Sequence, residues 1–389
     1  MCYNKFMNRT INTIIIGAGA SGLFLATLLN KNRNIEKILI LEHNKKMGSK
    51  VLISGGGKCN ITNKNINSNN YLGEQKFISH ILKKFKSEEL LFWLKERGLV
   101  PELRQKGQYF CRTSASEVVE LFKKNIPKSQ FRFSVEVERV EKRGNLFEVF
   151  TSQGVFQSKN LVVASGGLSF PKIGASAIGY DIAKSFGHRV EKLSAGLVGL
   201  TLQPEQFFFK SLSGISTDVE IKVGNKIAKG ALLFAHKGIS GPAVLDASLY
   251  WDKGQISINF LPHIDVKSLK SSKKKISNLL GLSSRLAKAL LDELSLEDKS
   301  AVRMSSKEWE VLKILQNYTF APAGTFGYGK AEVTKGGVAT KEIDSATMMS
   351  KKVENLYFLG EVLDVTGELG GYNFQWAFST AFVCSKAIK

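Results

Sequence analysis

The chain has 389 residues, 43% of them hydrophobic, which is enough for two or three domains with sizeable cores. Its four cysteines, Cys2, Cys59, Cys111 and Cys384, form no CxxC pair and show no ligand spacing with the five histidines, which excludes a disulfide scaffold and a structural zinc site. Lysine and arginine total 55 against 34 acids, a balance of +21 beyond what solubility needs, while no apolar run approaches the roughly 20 residues of a bilayer span. With no charged, apolar, small-residue signal pattern at its start, the chain is expected in a reducing cytoplasm, without membrane contact and without a metal.

In chain order, the first element is Thr13-Ile-Ile-Ile, read as a buried strand. It runs into Gly17-Ala18-Gly19-Ala20-Ser21-Gly22, an apolar helix-like run, and Lys37-Ile-Leu-Ile-Leu-Glu42, a second strand ending in an acid twenty residues after the last glycine. This is a dinucleotide-binding fingerprint. Gly17 permits a tight turn, Gly19 lets backbone approach a pyrophosphate, and Gly22 lets helix and strand pack closely. The helix N-terminus offers unpaired N–H groups and a partial positive charge. Glu42 is placed to accept hydrogen bonds from an adenosine ribose. The fingerprint alone leaves FAD and NAD open, and no second GxGxxG follows.

Phe77 to Gly98 reads as two amphipathic helices, and Phe131 to Val149 and Gly154 to Val163 as strands broken at Gly144-Asn145. From about Leu193 the texture changes to short strands, Val198–Leu202, Thr217–Val223, Lys226–Phe234 and Ile256–Phe260, read as a small β-barrel. Val266 to Gln316 reads as helical, and Ala331 to Val338 as a return. Asn355-Leu-Tyr-Phe-Leu-Gly360-Glu361 is another buried strand, ending in Gly-acid that can hydrogen-bond a ribityl chain. Gly370-Gly371-Tyr372-Asn373-Phe-Gln375-Trp376 opens a closing apolar helix, whose N-terminus can stabilise negative charge while its apolar residues pack in the core.

Five stretches together resemble the BaiN/RdsA-type flavoproteins, also called YhiN-like or aminoacetone-oxidase-like. They are Lys50 to Asn63, with Ser54-Gly55-Gly56-Gly57-Lys58-Cys59-Asn60-Ile-Thr62-Asn63; Ala164-Ser165-Gly166-Gly167 to Pro171; His236 to Leu245; Ala331 to Val338; and Gly360 to Asp364 with Gly371 to Trp376. They span nearly the whole chain in the family's order. The resemblance implies an α/β glutathione-reductase-type FAD-binding Rossmann fold with an inserted β-barrel and a small helical subdomain. Its expected divisions are 1–192 and 341–389 for the FAD domain, 193–265 for the barrel, 266–318 for the helical part and 319–340 for the return strands.

The resemblance also implies FAD as cofactor, NADH or NADPH as electron donor, and reduction of a conjugated double bond. The loop from Ser54 to Asn63 is then expected along the flavin, its three glycines allowing close approach to a planar ring. Val137 is expected to lend backbone to adenine. His43, Ala164 to Gly167, Gly360, Glu361, Gly371, Tyr372, Asn373 and Gln375 complete the expected cofactor contacts. Three stretches depart from the family: Lys58 replaces an arginine, Gly107-Gln-Tyr-Phe-Cys111 stands for a GRVFP-like stretch, and Ser176-Ala-Ile-Gly179-Tyr lacks a usual acid.

Reducing an enone or a uracil C5=C6 bond takes hydride at one carbon and a proton at its neighbour. Cys59 is the candidate proton donor, against packing as a small residue, with Cys111 and Tyr372 behind it. Lys58 is the candidate cation for an enolate-like state. Among the reactions that the resemblance implies is uridine to dihydrouridine in 23S rRNA, and the charge excess favours that one because it suits ribosomal RNA as partner. The alternatives are a small-molecule enone reductase or amine oxidase, and a non-catalytic flavin- or RNA-binding protein.

Overall fold

The computed structural model describes residues 11–31 and 38–388. Lys37 and Cys2 lie outside the described residues. Strand β1, Ile11–Ile16, and strand β2, Ile38–Glu42, pair in parallel with Thr13 opposite Ile38 and Ile16 opposite Leu41. Both are apolar runs rather than alternating ones, since a central parallel sheet is covered on both faces. Helix α1, Ala20–Asn30, connects them and is buried almost all round, because the closing helix Tyr372–Ala387 covers the side that the sheet does not. Phe24 of α1 sits in an aromatic cluster, its ring 4.8 Å from Trp93 and 5.1 Å from Phe378 in edge-to-face geometry.

The sheet grows outward from β1 on both sides. Phe131–Phe133 adds beside β2, and Gly154–Val163 adds beside β1. The strand Leu356–Phe358 joins the far side of Gly154–Val163 in parallel, so residues more than three hundred positions from β1 complete its sheet. The first half of Gly154–Val163 turns back instead onto Leu146–Thr151 and Val137–Arg143, an antiparallel meander whose turn uses Gly144 at φ +57°. These elements belong to one compact unit, the described residues up to 194 and from 333 onward.

The second unit is Ala195–Glu332. Its seven strands lie in the order Tyr318–Phe320, Ile256–Asn259, Ser216–Val223, Lys226–Ala235, Gly238–Ser240, Leu200–Thr201 and Gly324–Thr325. The two edge strands are joined by residues 321–323 alone. Such a link reaches ~14 Å, whereas a flat sheet of this width would separate its edges by ~29 Å, so the sheet curls into an open barrel. No ladder joins the edges among the described residues.

The stretch 266–318 holds two α-helices, Ser284–Glu293 and Ser306–Leu312, linked by 3-10 turns, and is less helical than its composition suggested. Leu286, Leu290 and Trp309 from this stretch share one core with Ile221, Phe234 and Ile258 of the barrel, so barrel and helices form a single packed body. Among the described residues no helix is long and apolar enough to cross a membrane.

Candidate functional site

The fingerprint turn is tied at its start by the Gly17 N–H, which donates to the Leu41 carbonyl at 2.9 Å. Gly17 has φ +106°, and a Cβ there would collide with the Ala164 carbonyl; a Cβ on Gly22 would collide with that of Gly17. A Cβ on Gly19 would meet nothing within 4 Å. Gly19 is also the N-cap of α1, with no side chain capping the helix and no acid in its first turn. The turn therefore presents open space and uncompensated N–H groups, the two features a pyrophosphate needs.

Glu42 is buried and already occupied. Its Oε2 accepts from the Ala18 N–H at 2.8 Å, and its Oε1 accepts from the Asn44 backbone and side chain at 2.8 and 2.9 Å. The carboxylate thus staples β2 to the fingerprint turn while lining a cleft of about 290 Å³. Gly17, Glu42, His43, Val137 and Ser165, all singled out in the sequence, meet in that cleft. Val135 and Asp181 line it too and carried no sequence signal, as does Ser176 from the stretch that departs from the family pattern.

A second group of turns surrounds Glu361. Lys50 Nζ reaches both of its oxygens, at 2.6 and 2.9 Å, and the Thr334 N–H donates to Oε1 at 2.9 Å. Thr334 Oγ1 in turn accepts from the backbone of Leu168 at 2.7 Å and Ser169 at 3.2 Å. This fastens the Ser165, Gly166, Gly167 turn to Glu361. Gly360, at φ +69°, is held by its N–H on Thr380 Oγ1 and by Trp376 Nε1 on its carbonyl, and a side chain there would strike Ser21 Oγ. Lys50 and Thr334 lie in stretches that carry the resemblance but had no role read for them, since each acts through a partner far along the chain.

Helix α2, Ser49–Gly57, starts from Gly48, whose N–H donates to the Ala18 carbonyl at 2.8 Å and so pins the glycine-rich segment to the fingerprint turn. At Ser54 the backbone leaves helical geometry, and Gly55, Gly56 and Gly57 follow at φ +55°, +65° and +83°. A Cβ on Gly56 or Gly57 would meet nothing, whereas one on Gly55 would press on Asn60 N and the Phe110 ring. Lys58 is exposed. Ala164 is buried at the end of its strand, and Ala20 opens α1.

Cys59 departs from the expected proton donor. It is fully buried in the main core, and its thiol meets that of Cys111, whose pKa is pushed up by the hydrogen bond to Cys59 and by burial. A thiol enclosed in this way is placed for packing. The side chains of Thr62 and Gln375, expected at the cofactor, are enclosed likewise. Both are fully buried, with Thr62 Oγ1 donating to Gln375 Oε1 at 2.6 Å and Gln375 Nε2 donating to the Phe85 carbonyl at 3.0 Å. They clamp strand β3, Asn60–Asn63, to the closing helix.

Asn373 is a clamp as well: its side chain accepts from the Gly367 N–H and donates to the Gly367 carbonyl, each at 2.8 Å. Gly371 sits against Thr62, where a Cβ would approach its carbonyl to 2.6 Å. Tyr372 is half-buried beside Tyr71, whose hydroxyl donates to the Tyr372 carbonyl at 2.9 Å. Burial, then the nearness of Tyr372, raises the Tyr71 pKa.

A family model described as the HI0933-like protein Rossmann domain matches residues 11–387. A Haemophilus influenzae protein named ribosomal RNA dihydrouridine synthase is 38% identical over 400 residues, covering 98% of this chain and 99% of its own. A Clostridium scindens protein named 3-dehydro-bile acid delta(4,6)-reductase is 27% identical over 401 residues, covering 96% and 98%. Among solved structures, an Escherichia coli quinol fumarate reductase FrdA matches with a TM-score of 0.50 at 12% identity, over 97% of this chain and 69% of that one, a likeness of fold.

Proposed function

This chain belongs to the HI0933-like Rossmann-domain family, and from that premise we propose that it is an FAD-dependent, NADH- or NADPH-driven reductase whose substrate is a uridine of large-subunit ribosomal RNA. The observation that carries the reading is the near full-length similarity to a protein named ribosomal RNA dihydrouridine synthase. The geometry supports the cofactor: the open, uncapped turn at Gly19 fits a pyrophosphate, and the cleft beside Glu42, His43 and Val137 fits its adenosine end. Bound FAD supplies hydride to one carbon of a conjugated double bond.

The chain's own residues bind, orient and stabilise. Ser165 to Gly167 and the Gly360-Glu361 turn would hold the middle of the cofactor, with Lys50 fixing Glu361. Gly56 and Gly57, whose missing side chains leave open space, admit a flat ring. Lys58, exposed just past those glycines, stabilises the negative charge that collects on the uracil C4 carbonyl oxygen when C6 accepts hydride. With both thiols enclosed, Tyr372 is the remaining proton donor for C5 among those expected from the sequence.

A uracil ring must leave its stack to reach such a site, which costs a few kcal/mol and favours rRNA that is single-stranded or not yet folded. The excess of 55 basic over 34 acidic residues supplies the attraction to phosphates, so binding weakens steeply with salt. Mass spectrometry of 23S rRNA from a deletion strain tests the reading: one dihydrouridine is lost relative to the parent. Identical dihydrouridine content overturns it in favour of a small-molecule enone, the reading that the 27% identical bile acid reductase supports.

A further inference from the structure

We propose that one face of the small sheet formed by β3 and the strands Glu102–Leu103 and Gln108–Phe110 is a subsite for an unpaired nucleotide of an RNA strand. The proposal rests on the RNA reading above and adds where the strand is held. In the register, Asn60 and Glu102 lie opposite Phe110 from its two sides, with Tyr109 opposite Thr62 and Leu103. Side chains alternate along a strand, so Gln108, Phe110, Glu102 and Asn60 share one face and Tyr109 turns to the other.

That face carries a pocket of about 510 Å³ lined by Glu102, Arg104, Gln105, Gln108 and Phe110. Four of the five are polar, which suits a nucleotide and not an apolar polycyclic enone, whose site needs mostly hydrophobic walls. Arg104 lies over the Phe110 ring at 4.9 Å, and Glu102 holds the guanidinium there through Nε at 3.2 Å and a terminal nitrogen at 2.9 Å. The result is a flat platform of guanidinium on aromatic ring, its charge balanced by Glu102, the kind of surface on which single-stranded bases stack.

Donors stand at its edge. Gln108 uses its Oε1 to accept from Asn60 Nδ2 at 2.6 Å, which orients the amide and leaves its NH₂ group for a base edge. Gln105 is exposed and bonds to no other side chain among the described residues. Cations flank the sheet for the phosphates: Lys64 beside Gly107 and Lys106 at one end, Lys58 at the other, where its carbonyl accepts from the Cys111 N–H.

The platform also adjoins the glycine-rich segment. A Cβ on Gly55 would lie 3.1 Å from the Phe110 ring, and the Ala115 N–H donates to the Gly57 carbonyl at 2.8 Å. A nucleotide held on this face therefore sits next to the segment assigned to the flat ring, as a neighbour of the reacting base in the same strand would.

The test is fluorescence anisotropy with flavin-loaded protein and a labelled ten-nucleotide oligouridylate at low salt. Arg104→Ala combined with Gln105→Ala, and separately Phe110→Leu, are expected to weaken binding about tenfold. Bound flavin per chain serves as the folding control. Wild-type affinity in both variants overturns the subsite and leaves the rRNA reading standing, as does failure of the wild-type protein to bind the oligonucleotide while the deletion strain still loses a dihydrouridine. Weakened binding by the variants, together with unchanged rRNA in the deletion strain, supports the subsite and overturns the reaction.

Discussion

In the fingerprint turn two glycines of three are packed against backbone, Gly17 on the Ala164 carbonyl and Gly22 on the carbonyl of Gly17, while Gly19 alone faces open space. In the segment after Ser54 the proportion reverses: Gly55 abuts Asn60 and Phe110, and Gly56 and Gly57 face nothing. The first turn is built chiefly to bring a helix and a strand together, and leaves one opening for a ligand. The second is built chiefly as an opening, with one anchor. A glycine whose absent side chain would meet backbone serves the fold, and one whose side chain would meet nothing is free to serve a ligand.

The largest expected effect tests the packed class. Gly22→Val forces a branched side chain into the Gly17 carbonyl and should cost about 4 kcal/mol or more, enough to abolish soluble, cooperatively melting protein. Recovery of a near-native melting curve would break the comparison at its root.

Gly19→Val, three residues away, should do the opposite. Its Cβ meets no protein atom within 4 Å, so the chain is expected to fold, but bound FAD falls at least tenfold and the melting temperature drops only to that of wild-type protein stripped of flavin. Full flavin occupancy in this variant would remove the cofactor assignment.

The second turn gives a finer comparison. Gly55→Ala places a methyl group 2.9 Å from Asn60 N at φ +55° and is expected to cost about 2 kcal/mol, against about 1 kcal/mol for Gly56→Ala, which is strained only by its φ of +65°. Urea unfolding of the two variants measures the difference. Equal losses would mean that the contact with Asn60 and Phe110 carries no weight.

The smallest effect concerns Cys59. With its thiol enclosed against Cys111, Cys59→Ala should cost about 1 kcal/mol of stability and leave single-turnover oxidation of pre-reduced flavin by substrate unchanged. A marked slowing of that step would return Cys59 to proton transfer.

The β1, α1 and β2 region was legible in the sequence because its information is local. Three glycines, an apolar helix and Glu42 lie within thirty residues, and the bonds from Gly17 to Leu41 and from Ala18 to Glu42 that close the turn join residues of that stretch, with Gly48 and Ala164 adding contacts from outside it. The glycine-rich segment was legible as a motif, but its direction was not. Whether Cys59 faces a ligand or the core depends on a backbone at φ +44° and on Cys111, fifty-two residues on.

Partners far apart in the chain explain the rest. Lys50 finds Glu361 across 311 positions and Thr62 finds Gln375 across 313, and neither pair has any periodicity or spacing to announce it. Composition set the charge, the apolar strands set the parallel sheet, and the fingerprint set the place of the dinucleotide turn. Only the packed chain decided that Glu361 and Gln375 hold other residues, that barrel and helices of residues 195–332 share one core, and that residues 60–63 and 102–110 form one sheet. Hydrogen bonds and burial between distant segments are chosen by whole-chain packing, which no window of sequence contains.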